Sequence, residues 1–138
     1  MSALLYVKVY VASLLVFFAL DLTWLGFLAK GFYQAQMGHL MRADVQWPAA
    51  LLFYLIYVVA IVVLCVAPAV EKQSLGRAMA LGAVFGLAAY AAFDLTSLAL
   101  LKDFPAKVVL VDLAWGTILT ASVSAAGYMA AIGMKAEG

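Results

Sequence analysis

A single cysteine, Cys65, excludes an internal disulfide and any cysteine-rich metal centre. It sits in an all-apolar stretch and reads as a buried filler. The single histidine, His39, falls in a polar connection and reads as a solvated side chain. Charge is scarce too. Asp, Glu, Lys and Arg make up 11% of the residues, the formal net charge is +1, and no basic run occurs. A nucleic-acid partner is therefore not expected. The chain has no phosphate-binding glycine loop, nucleophile motif, Cys-His cluster or dinucleotide fingerprint. No cofactor and no fixed metal are expected. Three aspartates alone would favour hard ions such as Mg²⁺ or Ca²⁺, and no other residue supports such a site.

What the chain does have is apolar length. Hydrophobic residues make up 69% of it, against roughly 45–50% in soluble domains. This is the composition of an integral membrane protein, all-α and polytopic. One bundle accounts for residues 1–138 as one domain. Four spans are expected, at about 3–29, 48–68, 78–101 and 106–133. The first reads as a retained span rather than a leader, because Asp21 interrupts it and no small-x-small cleavage site follows. Trp47 marks an interface and Pro48 suits a first helical turn, while Pro68 reads as the end of the second span. Gly82 and Gly86 give the third span a small-xxx-small face for close helix contact. Pro105 opens the fourth, which ends near Lys135 and Glu137. In the connection 31–46, Tyr33, Met37, Leu40 and Met41 follow helical spacing, which predicts a short interfacial helix.

The spans read as two sequential hairpins. Asp21-Leu-Thr-x-Leu in the first span matches Asp94-Leu-Thr-x-Leu in the third, and Trp47-Pro-Ala matches Phe104-Pro-Ala. Such a parallel repeat is an arrangement that some transporters use. Four cations fall on each side of the membrane, so the positive-inside rule sets no orientation.

Three acids stand inside these apolar runs: Asp21, Asp94 and Asp112. Each costs roughly 2.5–3.5 kcal/mol on insertion scales. Measured from Lys30, Lys102 and Lys107 they lie about 13, 12 and 8 Å deep, in the half of the bundle away from the termini. If the first span packs beside the third and fourth, the acids converge. Asp21 and Trp24 are three residues apart, on one helix face, as are Asp112 and Trp115. Asp94 shares a face with Tyr90 and Ser97. Indole N–H and Thr or Ser hydroxyl groups can satisfy carboxylates. The candidate site is therefore Asp21, Thr23, Trp24, Asp94, Thr96, Ser97, Asp112 and Trp115. Such a cluster is expected to hold or share at least one proton near neutral pH. It can bind a cation, relay protons or act as acid and base. The same bonds could instead only join helices.

At Asp21-Leu-Thr-Trp24-Leu-Gly26, Phe32-Tyr33, Gly38-His39-Leu40, Phe53-Tyr-Leu-Ile-Tyr57, Phe93-Asp94-Leu-Thr96 and Val111-Asp112-Leu-Ala-Trp115-Gly116 the chain resembles the bacterial domain-of-unknown-function 2177 family. These are small four-span membrane proteins, and the resemblance implies a multi-pass protein of the bacterial inner membrane. It carries no substrate and no catalytic residue across. The family pattern has Tyr and Asn where this chain has Phe93 and Ser97.

Three functions remain open at this level. The first is a proton- or cation-linked carrier of a small or lipophilic molecule. Four spans are few for a pathway, so this reading calls for an oligomer such as a homodimer. The second is an acid–base enzyme acting on a membrane lipid or isoprenoid through Asp21 and Asp112, with Trp24 and Trp115 facing a cationic intermediate. The third is a non-catalytic subunit or scaffold.

Overall fold

The computed structural model describes residues 1–137. Four helices are long and apolar enough to cross a membrane: Ala3–Leu28, Trp47–Glu71, Leu75–Leu100 and Ala106–Ala136. They are the first to fourth spans. The side chain of Glu137, expected near the end of the fourth, lies outside the described residues. Leucine, isoleucine, valine and phenylalanine side chains such as Leu15, Phe27, Ile56, Val84 and Leu110 point outward along all four spans. An exterior this apolar suits lipid and not water.

The first two spans pair, with the Tyr10 hydroxyl donating to the Leu55 carbonyl at 3.1 Å. The third and fourth form the tightest pair, and the fourth also packs on the first and the second. Two glycines allow that closeness. A methyl group on Gly82 would lie 2.7 Å from the Thr120 carbonyl oxygen, and one on Gly86 would lie 2.7 Å from the Thr120 side chain and closer still to the Gly116 carbonyl. Between helices in lipid, such contact replaces the hydrophobic drive that water provides elsewhere. Gly86→Leu is therefore expected to cost about 2–3 kcal/mol by forcing the pair apart. Unfolding in mixed micelles measures it, and a wild-type midpoint would contradict the packing.

Two spans contain a π-turn. In the first it covers Trp24–Leu28, where the Ala29 N–H donates to the Trp24 carbonyl at 2.8 Å. In the second it covers Val62–Val66, just ahead of Pro68. The sequence reading ends the second span at Pro68, but the helix runs on to Glu71. Proline has no N–H to donate one turn back, and the widened turn before it accommodates the gap. The connection to the third span is consequently only Lys72–Ser74. There Gln73 has a positive φ of 51°, and the Ser74 hydroxyl accepts from the Arg77 N–H at 3.0 Å to start the third span at Leu75.

Between the first and second spans, Lys30–Met37 forms the expected short helix, followed by a 3₁₀ turn at Gly38–Leu40. Gly38 stands where the regular helix stops. Tyr33 and Met37 on this helix, with Met41 beyond it, turn toward the bundle and cover its end. The second span packs on the third through its later part, from Val62 onward, and diverges from it earlier. The Tyr57 ring closes the bottom of that divergence against Phe85 and Tyr90, with ring centres 5.2 and 6.3 Å away. Above Tyr57 a cleft remains.

Candidate functional site

Asp21 is 6% exposed and fully used. One carboxylate oxygen accepts from the Tyr54 hydroxyl at 2.9 Å, and the other from the Trp115 indole N–H at 3.1 Å. The acid of the first span thereby ties the second and fourth spans to it. Tyr54 is held for this by Phe17 and Phe18, whose rings meet it edge-on at 5.2 and 5.1 Å.

Asp112 is held from another direction. The Tyr33 hydroxyl, on the short connecting helix, donates to it at 2.9 Å and accepts from the Trp24 indole N–H at 3.3 Å. Burial, reinforced by the Asp112 and Asp94 carboxylates and partly offset by the Trp24 N–H, holds the Tyr33 phenol above the ordinary tyrosine range. It remains a donor at any physiological pH. Trp24 and Trp115 stack face to face, with centroids 4.6 Å apart and planes 10° from parallel. One continuous arrangement thus runs from Tyr54 through Asp21, the two indoles and Tyr33 to Asp112.

The pairing differs from the expectation that each tryptophan serves the acid three residues before it. Trp115 serves Asp21, and Trp24 serves Tyr33. The indole N–H lies at the far end of a long ring, so it overshoots a short carboxylate one turn away and reaches the facing helix. Each indole covers one face of the other, which leaves only the outer faces for a cationic intermediate.

Asp94 is the exception in this network. It is 0% exposed, and neither carboxyl oxygen has a hydrogen-bond donor among the described residues. The Asp112 carboxyl stands beside it. Both line a cavity of about 250 Å³ under the connecting helix, with Tyr33, Met37 and Met41 above them. A second cavity, of about 390 Å³, lies in the cleft between the second and third spans, lined by Phe53, Ala89, Tyr90, Phe93 and Asp112. Asp112 and Phe93 belong to both cavities. Phe53 and Phe93 are exposed on the outer surface, so the cleft opens sideways, toward lipid.

Of the residues singled out from sequence, Asp21, Trp24, Asp112 and Trp115 meet in one network, and Asp94 adjoins Asp112. Three hydroxyls stand apart. The Thr23 hydroxyl donates to the Ala19 carbonyl of its own helix at 2.6 Å and is exposed, Thr96 is exposed, and Ser97 is buried one turn from Asp94 without donating to an acid. Threonine in a helix can always bond back to the preceding turn, which is the competing partner here. Tyr33, Tyr54 and Tyr90 are absent from the sequence-derived site, although the sequence sets Tyr90 on the Asp94 face and Tyr33 on the connecting helix. Tyr54 and Tyr57 are the only side-chain hydroxyls of an otherwise apolar second span, and that isolation was the available signal. Tyr57 shares a 2.8 Å hydrogen bond with Thr120 deeper in the bundle. Tyr90 packs its ring on Gly116 of the fourth span.

Tyr33→Phe removes both bonds of the phenol. It should cost about 1 kcal/mol. Amide exchange in residues 30–37 should rise while the spans stay protected, and unchanged exchange there would show that the phenol does not hold the helix down.

The site so described sits in a chain whose comparisons reach no further than its family. None of the curated proteins matches it, and no solved structure matches it. Residues 6–129 match the model of a family described as "Predicted membrane protein (DUF2177)". The chain, with its four spans, belongs to that family of membrane proteins.

Proposed function

We propose that this protein is a carrier of the bacterial inner membrane that moves a lipophilic molecule in exchange for a proton held between Asp94 and Asp112. The observation that carries this is Asp94: a carboxyl group wholly buried, without a donor, beside a second carboxyl where two cavities meet. A buried carboxylate left bare is costly, and two side by side repel. A proton shared between them relieves both terms, and so does a cation. Occupancy by one disfavours the other, which is the coupling a carrier needs.

The surrounding groups fit that duty. Among the described residues, Tyr33 from the connecting helix lies near both acids, and Asp21 from the first span and Tyr90 from the third lie near Asp112. Among the described residues no lysine or arginine lines either cavity to neutralise it permanently. The sideways opening suits a molecule that arrives from lipid, and the connecting helix covers the end toward water. Two copies in the membrane would enclose the open cleft that one copy leaves.

The test is uptake into proteoliposomes under an imposed pH gradient, using ethidium as a cationic probe and N-phenylnaphthylamine as a neutral one. Accumulation of at least one probe should follow the gradient and vanish in Asp94→Asn. Uptake that ignores the gradient and survives that substitution overturns the proposal, as does the absence of uptake of both. Altered lipid extracts in a deletion strain, without transport, would favour the enzyme instead.

A further inference from the structure

We infer that the cleft between the second and third spans selects a lipophilic organic cation, an inference that rests on the carrier reading and narrows its cargo. The lining is of two kinds only. Phe53, Tyr90 and Phe93 offer aromatic rings and Ala89 a small apolar wall, while Asp112 supplies one carboxyl. Aromatic faces around an acid are the chemistry that holds an organic ammonium or phosphonium centre, by attraction to the ring quadrupoles and to the fixed negative charge. An anion meets two carboxyls and no basic side chain. A neutral lipophile can fill the apolar part, but leaves the acid pair uncompensated when the proton departs.

The order of the residues along the cleft adds to this. Phe53 and Phe93 stand at the outer surface and Asp112 lies inward. Behind Asp112, in the cavity under the connecting helix, is Asp94 with both oxygens free of donors. A cation leaving lipid therefore meets rings first, then Asp112, then the unpartnered carboxyl. As it arrives, the proton between the two acids leaves, so the net charge of the pair together with its occupant stays constant. The cleft volume of about 390 Å³ falls within the ordinary range for sites of small organic molecules.

Binding to the purified full chain in lipid nanodiscs at low salt tests this, by equilibrium dialysis of tetraphenylphosphonium against its neutral analogue triphenylphosphine oxide. Tetraphenylphosphonium should bind at least about 30-fold more tightly than the analogue, and Asp112→Asn should erase that preference. Phe53→Leu and Phe93→Leu should each weaken it by about two- to five-fold. These two keep the test decisive if Asp112→Asn fails to fold. Binding in weakly buffered medium should release about one proton per cation in wild type and none in Asp94→Asn. Equal affinity for both probes, or an unchanged preference in Asp112→Asn, overturns the inference. If gradient-driven uptake of the neutral probe still occurs, the carrier survives with a neutral cargo; if uptake fails as well, both fall.

Discussion

Asp94→Asn abolishes gradient-driven uptake, by more than about 100-fold, while leaving the fold as stable as wild type or more so by about 0–2 kcal/mol. The two halves of this expectation come from one feature. Among the described residues no other donor reaches Asp94, so the only hydrogen bond the substitution touches is the one proposed to share a proton with Asp112. Asparagine has nearly the same shape, can donate to Asp112, and ends the repulsion between two adjacent carboxyls. The amide cannot take up or release a proton, so the exchange step disappears. Uptake and chemical unfolding measured on one preparation check both halves. A large loss of stability would show that Asp94 has partners after all, and retained uptake would show that its proton is not the one exchanged.

Asp21→Ala gives the opposite result. It removes the acceptor of two buried hydrogen bonds that join three spans, from Tyr54 and from Trp115. Both donors are left without partners in an apolar interior, each at about 1–3 kcal/mol, although polar bonds between membrane helices average nearer 0.6. The expected loss is about 2–4 kcal/mol. Asp21→Asn should lose less, because its amide oxygen still accepts one of the two bonds. Unfolding midpoints of the two variants beside wild type provide the measurement. If Asp21→Ala unfolds like wild type, the network from Tyr54 to Trp115 does not hold the spans together. The pair of substitutions thus separates an acid that joins helices from the acid proposed to exchange a proton, within one bundle.

How much of this was legible in the residues alone follows from what each signal measures. The four spans were, because hydropathy over about 20 residues reports the membrane directly. Gly82 and Gly86 were, because only small side chains allow the approach seen at Thr120. The three acids were, because nothing in an apolar run hides a carboxylate. The division of labour among them was not. Asp21 and Asp94 sit in the same short motif, Asp-Leu-Thr-x-Leu, and what separates them is Tyr54 and Trp115, which come from other helices. The extension of the second span past Pro68 was hidden too, since the π-turn that accommodates it leaves no mark in Val-Val-Leu-Cys-Val. Tyr33 read as part of an interfacial face. Its hydroxyl instead reaches a residue 79 positions along the chain, a contact that helical periodicity cannot report.

The most direct measurement is proton flux. Proteoliposomes carry a pH-sensitive dye inside, with no pH difference at the start, and a gradient of tetraphenylphosphonium is applied across the bilayer with the membrane potential clamped. Protons should move against the probe in wild type and in Asp21→Asn reconstituted at equal folded amount, and should not move in Asp94→Asn or Asp112→Asn. A flux that persists without Asp94, or probe movement in wild type with no proton in return, contradicts the account.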